Sequence, residues 1–190
     1  MLMTDPEKLQ HALEILNSLV APACREEIFT GQHQFTLTEK KEAAKGRLDE
    51  IYIDQIPHSL ALFFPDRAKP PLCAFLSDGK TQKACDAIIA TFHEGAFYLI
   101  VCELKCGRTQ GVATQLKNTA CLVDLLVSLA LQHHGLDLSQ WQRRYVVLGA
   151  GRLNKTPTRP GQPKAGASPT YPRQISVTNK QKLPLGALCR

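Results

Sequence analysis

Asp86, Glu103 and Lys105 are the residues of this 190-residue chain whose types and spacing could do chemistry together. Residues 84–92 read as a strand, 93–96 (His-Glu-Gly-Ala) as a turn, and 97–105 as a second strand. With that turn, Phe92 faces Phe97, and counting back along both strands brings Asp86 opposite Glu103. Directly opposed residues share a face, with Cβ atoms ~5 Å apart. Lys105 lies two residues beyond Glu103, so the pleat turns it to the same face. Two carboxylates this close raise the pKa of one of them unless a cation holds both. A hard divalent ion with oxygen ligands, Mg²⁺ or Mn²⁺, suits such a pair and can bind a phosphate oxygen. A lysine beside it can orient or deprotonate water and steady the charge that develops on a phosphorane. A Glu-x-Lys tripeptide taken alone is usually a surface salt bridge. Here six uncharged residues precede Glu103, and the register brings Asp86 alongside.

The elements that must position these residues follow from periodicity. Residues 6–20 carry Leu9, Leu13, Ile15, Leu16 and Leu19 at helical intervals, with Thr4 or Asp5 as N-cap and Pro6 in the first turn. Between 25 and 56 the pattern is weaker. Phe29, Phe35 and Leu37 hint at a strand, 39–47 favours helix, and 52–56 alternates like a strand. Residues 59–64 form a short apolar strand closed by Pro65-Asp66, and Pro70-Pro71 breaks the chain before 72–76 and a turn at 77–80. The run 97–105 is apolar on both faces until its end, as in the middle of a sheet covered by helices. Residues 109–133 predict a long helix, apolar almost all round between Val112 and Leu131, ended by Gly135. Burial of such a helix calls for the sheet and a further partner, which could be the tail, the N-terminal helix or a second copy. Residues 145–148 read as another buried strand, and 174–178 as a last edge strand.

Composition bounds the class. With 44% hydrophobic and 21% charged residues the chain can bury one core, which excludes wholesale disorder. The longest apolar stretch, 119–131, holds Asp124 and falls short of the ~20 residues of a membrane span. No secretory pattern opens the chain, so a cytoplasmic location is expected. Residues 1–150 have a balance of −2, whereas 151–190 hold eight basic residues and no acid. A basic, Pro- and Gly-rich extension on a near-neutral body suits a polyanion such as nucleic acid. The seven cysteines form no Cys-x-x-Cys pair. They read as reduced thiols, and Cys102, Cys106 and His93 are not spaced to converge on zinc.

Asp86, then sixteen residues to Glu103-x-Lys105, within strand–turn–strand–helix–strand order over 84–148, resembles the PD-(D/E)XK nuclease superfamily. The resemblance implies an α/β fold: a mixed central sheet flanked by helices, with the αβββαβ restriction-endonuclease-like core in residues 1–150. It also implies metal-dependent hydrolysis of phosphodiester bonds in nucleic acid, with DNA favoured over RNA by family frequency. By it, Asp86 and Glu103 would be ligands of Mg²⁺ or Mn²⁺, Lys105 the water-orienting residue, and Gln115 the glutamine many members carry on the following helix. Cys85 stands where the motif has Pro, and Thr119 where one subgroup has Tyr. A further acid on an N-terminal element would complete the metal site; Glu14, Glu42 and Glu50 compete, and the Lys45-Gly46-Arg47 run favours Glu50. Arg108, Lys117, Arg143, Arg144, Arg152 and Lys155 would contact phosphates. Many members act as homodimers or within larger complexes. The alternative is a non-catalytic nucleic-acid-binding or scaffolding subunit on the same fold, which would be expected to have lost one of the three residues.

Overall fold

The computed structural model describes residues 4–28, 32, 34–38, 50–68, 83–105, 111–150 and 164–190. In chain order the elements are helix α1 (Asp5–Leu19), strands β1 (Arg25–Ile28), β2 (Gln34–Thr38), β3 (Glu50–Asp54) and β4 (Leu60–Phe63), hairpin strands β5 (Ala87–His93) and β6 (Ala96–Lys105), helix α2 (Val112–His134), strands β7 (Gln142–Ala150), β8 (Arg173–Val177) and β9 (Lys182–Pro184), and a terminal turn of helix α3 (Gly186–Cys189).

Local chemistry sets the boundaries. The Thr4 backbone N–H and hydroxyl both donate to the Glu7 carboxylate, at 2.7 and 2.9 Å, which caps α1 with Pro6 in its first turn. Leu9, Ala12, Leu13 and Leu16 then line its buried face. The β5–β6 hairpin turns at Glu94 and Gly95, both at positive φ (47° and 79°), the pairing a two-residue hairpin loop demands. Gly135, at φ 65°, ends α2 as the sequence predicts.

Six strands form a mixed sheet in the order β1-β4-β5-β6-β7-β8. β1, β4, β5 and β6 run antiparallel in turn; α2 then crosses over, so that β7 and β8 lie parallel to β6. α1 and α2 cover one face, where Leu13, Leu16, Leu116 and Val123 meet Phe63, Ile88, Val101 and Val147. The opposite face carries a second sheet of order β2-β3-β9 rather than helices. There the inward residues Phe35, Leu37, Ile51, Ile53 and Leu183 pack on Leu62, Ile89, Ile100, Leu104 and Leu148. This corrects the expectation of helices on both sides, and the reason is a period of two in β2 and β3 that a helix could not bury.

The C-terminal residues correct another expectation. From 164 onward the chain is not an appended basic tail: β8 extends the large sheet, β9 extends the small one, and Val177, Leu185, Leu188 and Cys189 are buried. The apolar residues spaced among the basic ones supply the burial. Helix α2 is less enclosed than its composition implies, for Leu125 and Leu131 are each 53% exposed. The helix expected at 39–47, the residues 72–76 and the turn at 77–80 lie outside the described residues. Among the described residues, no helix is long and apolar enough to cross a membrane.

Candidate active site

The hairpin has the register the sequence implies, from His93↔Ala96 and Phe92↔Phe97 down to Ala87↔Cys102. The ladder ends there; continued by one residue, its register would set Asp86 opposite Glu103. A continuing ladder would pair Leu104 with Cys85. Instead the Leu104 N–H donates to Asp86 Oδ2 at 2.6 Å, so the aspartate side chain takes the place of a backbone acceptor where the strands part. Glu103 and Lys105 follow Leu99 and Val101 onto the helix-covered face, as Asp86 precedes Ile88 and Ala90 onto it. Glu103 is fully buried, and its carboxylate pairs with the Lys105 ammonium, itself 7% exposed.

Two carboxylates thus share one lysine. Burial, then the charge of Glu103, pushes the Asp86 carboxyl up to about 8, against the opposing pull of the Leu104 N–H and Lys105. Asp66, exposed in the 3₁₀ turn Pro65–Arg67 that packs on β5, adds its negative charge to the same effect. This arrangement suits a hard divalent cation: the donors are carboxylate oxygens, and among the described residues beside them two carboxylates face one ammonium. Thiolate ligation does not suit it, because burial raises the neighbouring Cys85 and Cys102 thiols well above their ordinary range.

Helix α2 fixes the approach to Asp86. Asn118 Nδ2 donates to the Lys83 carbonyl at 2.9 Å, Gln115 Nε2 to the Ala84 carbonyl at 3.0 Å, and Thr119 Oγ1 accepts from the Cys85 N–H at 2.9 Å. Residues 115, 118 and 119 share one helix face, so three successive residues of the incoming chain are pinned to one helical turn. Gln115 therefore lies beside the site, but its amide group holds backbone. Asp66 is not among the residues that the sequence points to; its one signal there is the Pro65-Asp66 step that closes an apolar strand.

Other predicted residues are not brought in. Glu50 opens β3 in the small sheet, on the far side of the large one. The inward pleat belongs to Ile51 and Ile53, and Glu50 accepts from the Tyr52 hydroxyl at 2.9 Å on the outer side. Glu14 is exposed on α1 and accepts from Gln10 at 3.0 Å; Glu42 lies outside the described residues. Arg143 and Arg144 are in register with Leu99 and Ile100, near the start of β7, whereas Glu103 is in register with Val147. They are thus not beside Glu103 and Lys105: Arg143 pairs with Asp124, and Arg144 donates to the Cys189 carbonyl at 2.8 Å. Lys117 is exposed on the outer side of α2 with Cys121, Asp124 and Ser128. Arg108, Arg152, Lys155 and Cys106 lie outside the described residues. His93 and Cys102 sit at opposite ends of the hairpin. Among the described residues, no three His, Cys, Asp or Glu side chains are grouped to hold a metal. No protein-family model, curated protein or solved structure matches the chain.

Proposed function

We propose that this chain is a metal-dependent phosphodiesterase acting on nucleic acid. The observation that carries the reading is the nearness of the Asp86 and Glu103 carboxylates where β5 and β6 part, with Lys105 beside them to offset their charge. The run β4–β5–β6, α2, β7, with β7 parallel to β6, supports it by matching the βββαβ part of the resembled family's core, although β1, β2 and β3 intervene between α1 and β4. Asp86 and Glu103 would hold Mg²⁺ or Mn²⁺. Such an ion, when bound, lowers the pKa of water and neutralises charge on a phosphoryl group. Lys105 steadies the negative charge on the attacked phosphate and pairs with the buried Glu103 carboxylate. Gln115, Asn118 and Thr119 hold the segment that presents Asp86.

The test is cleavage of plasmid and single-stranded DNA and of RNA with Mg²⁺, Mn²⁺ or EDTA, comparing wild type with Asp86→Asn, Glu103→Gln and Lys105→Met. Metal-dependent cutting that falls at least about 100-fold in each folded variant is the expected result. Binding with steep salt dependence but without cutting would instead establish a binding module. Cutting that survives all three substitutions would place the chemistry elsewhere.

A further inference from the structure

We propose that the substrate-binding floor extends from Lys105 across Gly149 to Ser176 and Gln174 on the edge strand β8, where it holds the nucleoside next to the scissile phosphate. This rests on the nuclease reading above and names where its polymeric substrate lies.

Three parallel strands end side by side at this place. Glu103 is in register with Val147 and then Gln174; Lys105 is in register with Gly149 and then Ser176. Ile175 and Val177 pack into the core between the two sheets, so the pleat turns Gln174 and Ser176 to the other face, the one that carries Glu103 and Lys105. The Lys105, Gly149 and Ser176 row lies at the carboxyl ends of β6, β7 and β8, where open α/β sheets take their ligands, and Gln174 precedes it at the start of β8. Two strand spacings, ~10 Å, separate Lys105 from Ser176, on the scale of a nucleotide unit.

The residue types along the rows suit a ligand. Gly149 presents no side chain between Lys105 and Ser176. Ser176 is exposed and Gln174 half-buried. The Gln174 Oε1 atom is buried and has no hydrogen-bond partner among the described residues. A buried acceptor without a donor is uncommon and costly, and a flanking nucleoside brings donors in its base N–H or sugar hydroxyl groups. Beyond Glu103 and Lys105 both rows are uncharged, which suits base and sugar and leaves phosphate to Lys105. Arg173 does not supply charge here, because it points to the opposite face and donates to the Ala187 carbonyl at 2.9 Å.

The test compares a labelled oligonucleotide with bis(p-nitrophenyl) phosphate, which has no nucleoside to lay on the floor. For Gln174→Leu and Ser176→Ala, KM for the oligonucleotide should rise about tenfold with kcat nearly unchanged, the worth of one hydrogen bond, while turnover of the small diester stays as in wild type. Unchanged kinetics on both substrates, or equal losses on both, would overturn the proposal. If wild type hydrolyses neither substrate, the nuclease reading falls. The floor is then judged by oligonucleotide binding: about tenfold weaker binding by Gln174→Leu supports it, and unaltered binding overturns it.

Discussion

The side-chain amide of Gln115 donates to the carbonyl of Ala84 at 3.0 Å, two residues ahead of Asp86. The adjacent Thr119 hydroxyl accepts from the Cys85 N–H. Helix α2 therefore sets where the Asp86 carboxylate lies without touching what it would bind. Loss of such a hold lets the carboxylate drift, and a displacement of about 1 Å can cost about 100-fold in rate. Gln115→Met should lower kcat by about 10- to 100-fold and weaken Mn²⁺ activation, with the shape of the pH–rate profile retained. Thr119→Val should also cost about 1–3 kcal/mol of stability, because it strands the buried Cys85 N–H, and Thr119→Ser should restore most of that. Urea melts and Mn²⁺ titrations of both variants check this.

Asp86 predicts a pH dependence with a definite sign. Its carboxyl is raised to about 8 in the folded chain, while an unfolded aspartate titrates near its ordinary value of 3.8. Between those values the unfolded chain has released a proton that the folded chain retains. Stability is then greatest below the unfolded value and falls as pH rises toward 8. Metal-free protein in EDTA should melt at progressively lower temperature across this window, and Asp86→Asn should flatten the slope. Mn²⁺ favours the ionised pair, so its stabilising shift should be larger near pH 8 than near pH 5. A Tm that rises with pH in EDTA would contradict this account of the site.

The Glu103–Lys105 pair is buried on both sides, unlike the exposed Lys8–Asp5 pair on α1. Removing Lys105 leaves buried Glu103 without its cation, which costs about 3–5 kcal/mol, whereas removing Glu103 leaves Lys105 with Asp86 and relieves the repulsion between the carboxylates. Lys105→Met should therefore melt well below wild type in the absence of metal, and Glu103→Leu should lose less. The double substitution Glu103→Leu with Lys105→Met should recover much of that loss while remaining inactive. Tm measurements on Glu103→Leu, Lys105→Met and the double form a thermodynamic cycle that separates charge pairing from catalysis.

The hairpin was legible because its information is local. A Glu-Gly turn, paired phenylalanines and two apolar runs fix one register, and that register alone opposes Asp86 to Glu103. Helix α2 was legible from its length and Gly135, but not the use of its polar residues, since Gln115 reaches a backbone carbonyl 31 positions away in the chain. The second sheet was less legible. β2 and β9 are short, and β9 meets β3 only by a parallel pairing across most of the chain, of which local periodicity carries no trace. Glu50 was drawn toward the site by basic neighbours, yet the pleat of Ile51 and Ile53 turns it away. Charge counting in turn gives the C-terminal basic residues to nucleic acid, whereas Arg173 holds the carbonyls of Ala187 and Arg190.

That last point leads to a prediction about Arg144 and the chain end. The guanidinium of Arg144 donates to the carbonyls of Cys189 and Arg143 and lies 5.4 Å from the Tyr98 ring centre, while Arg173 donates to Ala187. These bonds satisfy the terminal carbonyls of α3 and seat Leu188, which is fully buried. A side chain engaged in this way releases few counterions when nucleic acid binds. Arg144→Ala should therefore lower stability and leave the salt slope of nucleic-acid binding unchanged, where a true phosphate contact would reduce that slope by about 1. Leu188→Ala should destabilise by about 2–5 kcal/mol through the cavity it leaves, and removal of residues 173–190 should abolish cooperative unfolding by taking a strand from each sheet. A chain lacking 173–190 that still melts cooperatively would show that the two sheets close without β8 and β9.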